Sequence, residues 1–176
     1  MLLYHGSNIE VQNPKILESD RRLDFGTGFY LTSSLSQAER WAKLTTERRK
    51  NGKAIVSVFE IDENAFNTLK ILHFEKADKN WLEYVSKNRK NLPIQNDDFD
   101  LIIGPVANDK TMPVISLYFS GIYDMEETIK RLLVQKLNNQ YTFKTKKSLE
   151  ALKFTEAKTY DKWTALHSWF LRQRSF

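Results

Sequence analysis

Apolar positions fall into short alternating runs early in the chain and into stripes at helical spacing further along, so strands and helices are expected to be interspersed. The pattern predicts strands over 2–5, 29–32, 54–61, 69–74, 101–103 and 140–145. Ser34, with Gln37 three residues on, opens a predicted helix whose inward stripe is Ala38, Trp41, Ala42 and Thr45. Asp78 caps a second helix facing inward through Trp81, Leu82 and Val85. Asp124 and Glu127 start a third, carrying Ile129, Leu132, Leu133 and Leu137, and a short helix is expected over 147–152. Residues 11–17 read as extended around Pro14, and the polar stretch 18–24 leads into Gly26 and Gly28. At the end, Trp163, Leu166, Trp169 and Phe170 share one helical face, which predicts an amphipathic helix over 160–176. That face suits packing on its own domain or docking on another protein.

The sum is an α+β pattern without the regular alternation of a doubly wound sheet. No Gly-x-Gly-x-x-Gly follows a strand, and there is no phosphate loop, nucleophile elbow, internal repeat or low-complexity linker. With 176 residues, 41% hydrophobic and 28% charged, the chain reads as one globular domain large enough for a core. No apolar run approaches the roughly 18 residues of a membrane span. Without cysteine or a signal-peptide pattern, the expected location is cytoplasmic. The net charge of +5 admits a polyanionic partner, but the charges are dispersed, and clusters such as Arg48-Arg49-Lys50 read as solvated helix ends. His73 and His167 lack partner spacing and no His/Asp/Glu grouping has metal-ligand spacing, so no metal is expected.

Three separated segments carry candidate chemistry. His5-Gly6-Ser7 ends a strand. There an imidazole can bond a ribose hydroxyl, Ser7 can add a hydroxyl, and the Gly6 backbone can meet a primary amide closely. A histidine that merely satisfies a strand end fits the same residues. Tyr30 follows Gly26 and Gly28, whose permissive backbone lets a loop turn sharply, and its ring can stack on another aromatic ring; a core tyrosine is the alternative. Phe29 should point to the opposite face. Gln140 opens the late strand and can donate and accept hydrogen bonds but cannot act as a base. An exposed strand-edge glutamine is its plainer reading.

The runs Leu3-Tyr4-His5-Gly6-Ser7, Asp24-Phe25-Gly26-Thr27-Gly28-Phe29-Tyr30-Leu31-Thr32 and Gln37-Ala38-Glu39-Arg40-Trp41-Ala42, with Asn139-Gln140-Tyr141-Thr142-Phe143, resemble the ADP-ribosyltransferases of the diphtheria-toxin and poly-ADP-ribose-polymerase branch. From Leu3 to about Phe154 the chain looks closer still to the bacterial DUF3990 family, through Leu23 to Gly26, Trp81, Asn88-Arg89, Asp100 and Gly104 to Asp109. Members of that family resemble ADP-ribosyltransferases and are suspected toxins of toxin–antitoxin pairs. The resemblance implies a split β-sheet core with surrounding helices over 1–154 and NAD as co-substrate; residues 155–176 lie outside it and are expected to form an amphipathic helical extension. It implies Gln140, Tyr30 and His5 as catalytic residues and His5, Gly6, Ser7, Gly28 and Tyr30 as NAD-binding residues. Asp24, Asn108 and Asp109 stand behind them, Asp109 as a group that could orient or deprotonate an acceptor. The expected partners are NAD, a protein or nucleic-acid acceptor and an antitoxin protein, with no membrane. Two departures from the pattern matter. Polymerases have Glu where this chain has Gln140, so single transfer or NAD hydrolysis is expected in place of chain elongation. Arg-specific transferases carry an acidic residue where Asn138 stands, which leaves the acceptor open.

Overall fold

The computed structural model describes residues 1–17, 22–108 and 111–160. Its strands pair both parallel and antiparallel and are interspersed with helices, so the fold is α+β. The chain divides into two compact units, one of Met1–Pro14, Leu31–Ile61 and the end of the chain from Leu152, the other of Lys15–Tyr30 and Asp62–Ala151. Among the described residues no helix is long and apolar enough to cross a membrane.

In the first unit, β1 (Leu2–Ser7) lies antiparallel to β3 (Ile55–Ile61), from Leu2 opposite Glu60 to Ser7 opposite Ile55. Tyr4 also pairs with Thr32 at the end of β2 (Phe29–Thr32), the strand within which the chain passes from one unit to the other. Helix α1 (Leu35–Arg49) starts where Ser34 Oγ accepts from the Gln37 backbone N–H. It packs through Ala38 and Ala42, both fully buried, against Ala54 and Val56, while Trp41 and Thr45 are only half-buried. The small side chains let the helix approach closely: a Cβ on Gly6 would lie 2.0 Å from the Ala38 carbonyl oxygen and 2.8 Å from the Ala42 nitrogen. Asn8 closes the far end of α1, accepting from Arg49 Nη1 at 2.8 Å and donating to Asn51 Oδ1 at 2.7 Å.

In the second unit, a 3-10 helix (Glu63–Thr68) precedes β4 (Ile71–His73), which runs parallel to β5 (Leu101–Pro105). Helix α2 (Lys79–Arg89) provides the crossover that parallel pairing requires. Asp78 caps it, accepting from the Trp81 backbone N–H at 3.1 Å, and Trp81, Leu82 and Val85 are fully buried. Helices α3 (Met112–Phe119) and α4 (Met125–Leu133) follow, the latter capped by Asp124 through the Glu127 N–H at 2.8 Å. Strand β6 (Asn139–Phe143) then pairs antiparallel with β5, setting Gln140 opposite Gly104. The core gathers Phe25, Phe74, Trp81, Ile102, Ile115 and Leu132. Short α5 (Lys146–Leu149), begun by a Thr145–Ser148 capping box, ends the unit.

Several expectations are corrected here. Helix α3 occupies a segment for which the sequence pattern gave no element. Leu133, placed on the inward stripe of α4, is 50% exposed, and the helix ends there, before Leu137. Strand β7 (Leu152–Thr159) returns antiparallel to β3 in the first unit, with a bulge opposite Val58 and Phe59. Residues 155–159, assigned to a helical extension, are therefore strand; the helix expected over 160–176 lies, beyond Tyr160, outside the described residues.

Candidate functional site

The second unit buries a carboxylate. Asp24, 4% exposed, stands in the loop before β2 and accepts four hydrogen bonds. Its Oδ1 takes the Arg89 Nε–H at 2.8 Å and the Nη2–H of the same guanidinium, while Oδ2 takes the Ala107 backbone N–H and the Gln140 Nε2–H, each at 2.9 Å. One side chain thus ties together the last turn of α2, the segment beyond β5 and the second residue of β6. Breaking such a pair by removing one partner is costly, because the other is left charged and uncompensated.

Tyr30 fixes the loop around it. Its phenol donates to the Gly26 carbonyl oxygen at 2.7 Å and accepts from the Phe25 N–H at 3.1 Å. Gly26 sits at φ +73°, in the left-handed region that favours glycine, and a Cβ there would meet Asn88 Oδ1 at 2.6 Å. At Gly28 a Cβ would come within 2.6 Å of Thr142 Cγ2 on β6. Burial first, then the neighbouring Asp24 charge, pushes the Tyr30 phenol well above its ordinary pKa, so it stays a neutral donor. Phe29 is buried, as are Leu31 and Thr32 further along β2.

A second polar cluster lies in the same unit. Tyr84 on α2 donates to Asp97 Oδ1, and Lys144 Nζ donates to Asp97 Oδ2 at 2.6 Å. Burial, with the Asp97 bond and charge, raises the Tyr84 phenol strongly. Phe25 joins the two clusters, its ring meeting Tyr84 edge-on at 6.0 Å and stacking on Phe74 at 5.8 Å. Near the rim of the unit, Asp100 accepts from Thr145 Oγ1 at 2.6 Å and from the Lys70 N–H at 3.0 Å, which holds its carboxyl below the usual range.

Of the residues singled out by sequence, the structure brings Asp24, Gly28, Tyr30 and Gln140 together in the second unit. Gln140 is not an exposed edge residue: it is 2% exposed, with its amide held by Asp24. The Asn108 carbonyl oxygen starts α3, accepting from the Thr111 and Met112 N–H groups, and Asp109 lies outside the described residues. His5, Gly6 and Ser7 belong to the first unit. There His5 is half-buried opposite Ser57 and Ser7 is buried opposite Ile55, and the space left by the missing Cβ of Gly6 is taken by α1. Arg89, Tyr84, Asp97 and Lys144 were given no role by sequence. Pairings such as Arg89 with Asp24, 65 positions apart, leave no periodic trace. Among the described residues no group of three or more His, Cys, Asp or Glu could hold a metal ion.

A family model described as a protein of unknown function, DUF3990, matches residues 1–154. The chain belongs to the DUF3990 family. No curated protein matches it. The DUF3990 region spans β1 through β6 and the first three residues of β7, and it contains both polar clusters whole.

Proposed function

We propose that this DUF3990 chain is an NAD-dependent mono-ADP-ribosyltransferase and the toxin of a toxin–antitoxin pair. The observation that carries the reading is the partly buried, neutral Tyr30 and the buried Gln140 beside one immobilised carboxylate, on residues that match the motifs of the transferase branch. In the proposed reaction the bond between nicotinamide and the ribose C1′ breaks, nicotinamide leaves with the bonding electrons, and the acceptor's nucleophile bonds C1′ and loses its proton to solvent. Positive charge builds on the sugar as in glycoside cleavage. Tyr30 would stack on the nicotinamide ring, Gln140 would bond the ribose 2′-hydroxyl, and His5 would bond the adenosine ribose. Holding the scissile bond in place among groups that need no reorganisation would supply much of the acceleration. An amide at position 140 offers no base to activate an acceptor, which favours a single transfer, or hydrolysis with water as acceptor, over chain growth.

A second reading is an NAD- or ADP-ribose-binding module with little or no turnover. Gln140 favours it, since the residue is 2% exposed and its amide nitrogen is already committed to Asp24. Incubating the purified chain with NAD separates the two: a transferase or glycohydrolase releases nicotinamide, whereas a module binds NAD and leaves it intact. Mass spectrometry of protein, RNA and DNA after induction then identifies the acceptor, and growth with and without a co-expressed candidate antitoxin tests the toxin role.

A further inference from the structure

The hydrogen bond between Gln140 and Asp24 defines what position 140 can be. An ionised carboxylate only accepts, so the Gln140 atom facing Asp24 Oδ2 at 2.9 Å is the amide nitrogen, and the amide oxygen is turned away. Both side chains are almost wholly buried, at 4% exposure for Asp24 and 2% for Gln140. Charged and titratable groups on α2, β2 and the adjoining loops surround the pair or border it. Arg89 from α2 neutralises Asp24; Tyr30 from β2 is held neutral; Lys144, just beyond β6, is committed to Asp97, which also binds Tyr84. Gly104, opposite on β5, brings no charge. A single guanidinium therefore answers a single carboxylate.

We propose that Asp24 is the positioning residue for Gln140, and that this fold requires glutamine there and excludes the glutamate of the chain-extending enzymes. Glutamate at position 140 would set a second carboxylate against Asp24 with only Arg89 to answer both. Two buried carboxylates at hydrogen-bond distance cannot both ionise cheaply, so the pair would retain a proton well into the neutral range. On the transferase reading Gln140 would thus offer a fixed, uncharged amide oxygen to a hydroxyl donor. Identifying that donor as a ribose hydroxyl rests on the transferase reading; the electrostatic requirement does not.

The test is thermal unfolding of the full chain from about pH 5 to about pH 9, which spans the range above the ordinary carboxyl pKa. In Gln140→Glu the folded-state carboxyl pKa is raised, so the variant's stability relative to wild type falls as pH rises from the unfolded value toward the folded one. It should melt about 3 °C or more below wild type at the alkaline end and recover toward it at the acid end. Gln140→Met, which loses the hydrogen bond without adding charge, should show a deficit that does not vary with pH. When Gln140→Glu is combined with Asp24→Asn, the pH-dependent part of its penalty should vanish. A Gln140→Glu variant that tracks wild type at every pH, a deficit that does not change with pH, or a pH-dependent deficit that survives in the Asp24→Asn background would each overturn the proposal. Should Asp24→Asn not fold, Asp24→Ser, which also removes the charge, takes its place beside Gln140→Glu. None of these measurements needs NAD, so a failed transferase reading and a failed positioning role are told apart.

Discussion

Asp24 and Gly6 show how differently a residue's chemistry and its surroundings can be read from sequence. Asp24 was visible as a candidate carboxylate, but its partners Arg89, Ala107 and Gln140 are 65, 83 and 116 positions away, and no local pattern joins them. Gly6 suggested a backbone left open to a ligand, yet the space belongs to α1, whose Ala38 carbonyl oxygen would lie 2.0 Å from a Cβ. Gly6→Ala should therefore force α1 off β1 and destabilise the chain by about 1–3 kcal/mol, as overpacking does. Urea unfolding checks this, and an unchanged midpoint would show that the helix yields without cost. Gln140 falls between the two: its polarity was legible, its burial was not, because a polar residue opening a strand looks the same in sequence whether a carboxylate or water meets it.

Helices with a capping side chain and an amphipathic stripe were legible; α3, which lacks both, was not. Ser34, Asp78 and Asp124 each accept the backbone N–H that their position implies. Helix α3 opens with Thr111 making no side-chain cap bond, and Met112–Phe119 is apolar almost throughout, so no polar face marked its period. Strand β7 hides for another reason: the bulge opposite Val58 and Phe59 breaks its alternation, and Lys153, Glu156 and Lys158 give it the look of a solvated segment. The cap of α2 bears on the candidate site, since that helix carries both Tyr84 and Arg89. Asp78→Ala should cost about 1 kcal/mol and raise amide exchange in the first turn of α2, while the hydrogen bonds of Arg89 at the other end persist. Exchange rates that do not change in that turn would mean the cap contributes nothing.

For the molecule as a whole, neutral phenols tie stability to the alkaline side of the pH scale. Tyr30 and Tyr84 have folded-state pKa values raised above the ordinary value of about 10, so their contribution is complete below that pH and is lost as pH rises beyond it. Tyr84→Phe should cost about 1 kcal/mol at neutral pH through the lost bond to Asp97, but should decline less steeply than wild type above about pH 10. Tyrosinate absorbance recorded during alkaline unfolding checks both parts; parallel declines in the two proteins would exclude the coupling. At the acid end Asp100, with its carboxyl held low, contributes above the unfolded carboxyl pKa and loses that contribution as pH falls through its folded value. The most direct measurement is nicotinamide release from NAD by the purified full chain, beside His5→Ala and Tyr30→Ala variants whose circular dichroism matches wild type. Release by wild type that falls at least about tenfold in each variant, a loss of about 1.4 kcal/mol of transition-state stabilisation, is the predicted result. No release by wild type, or equal release by all three proteins, would contradict the account.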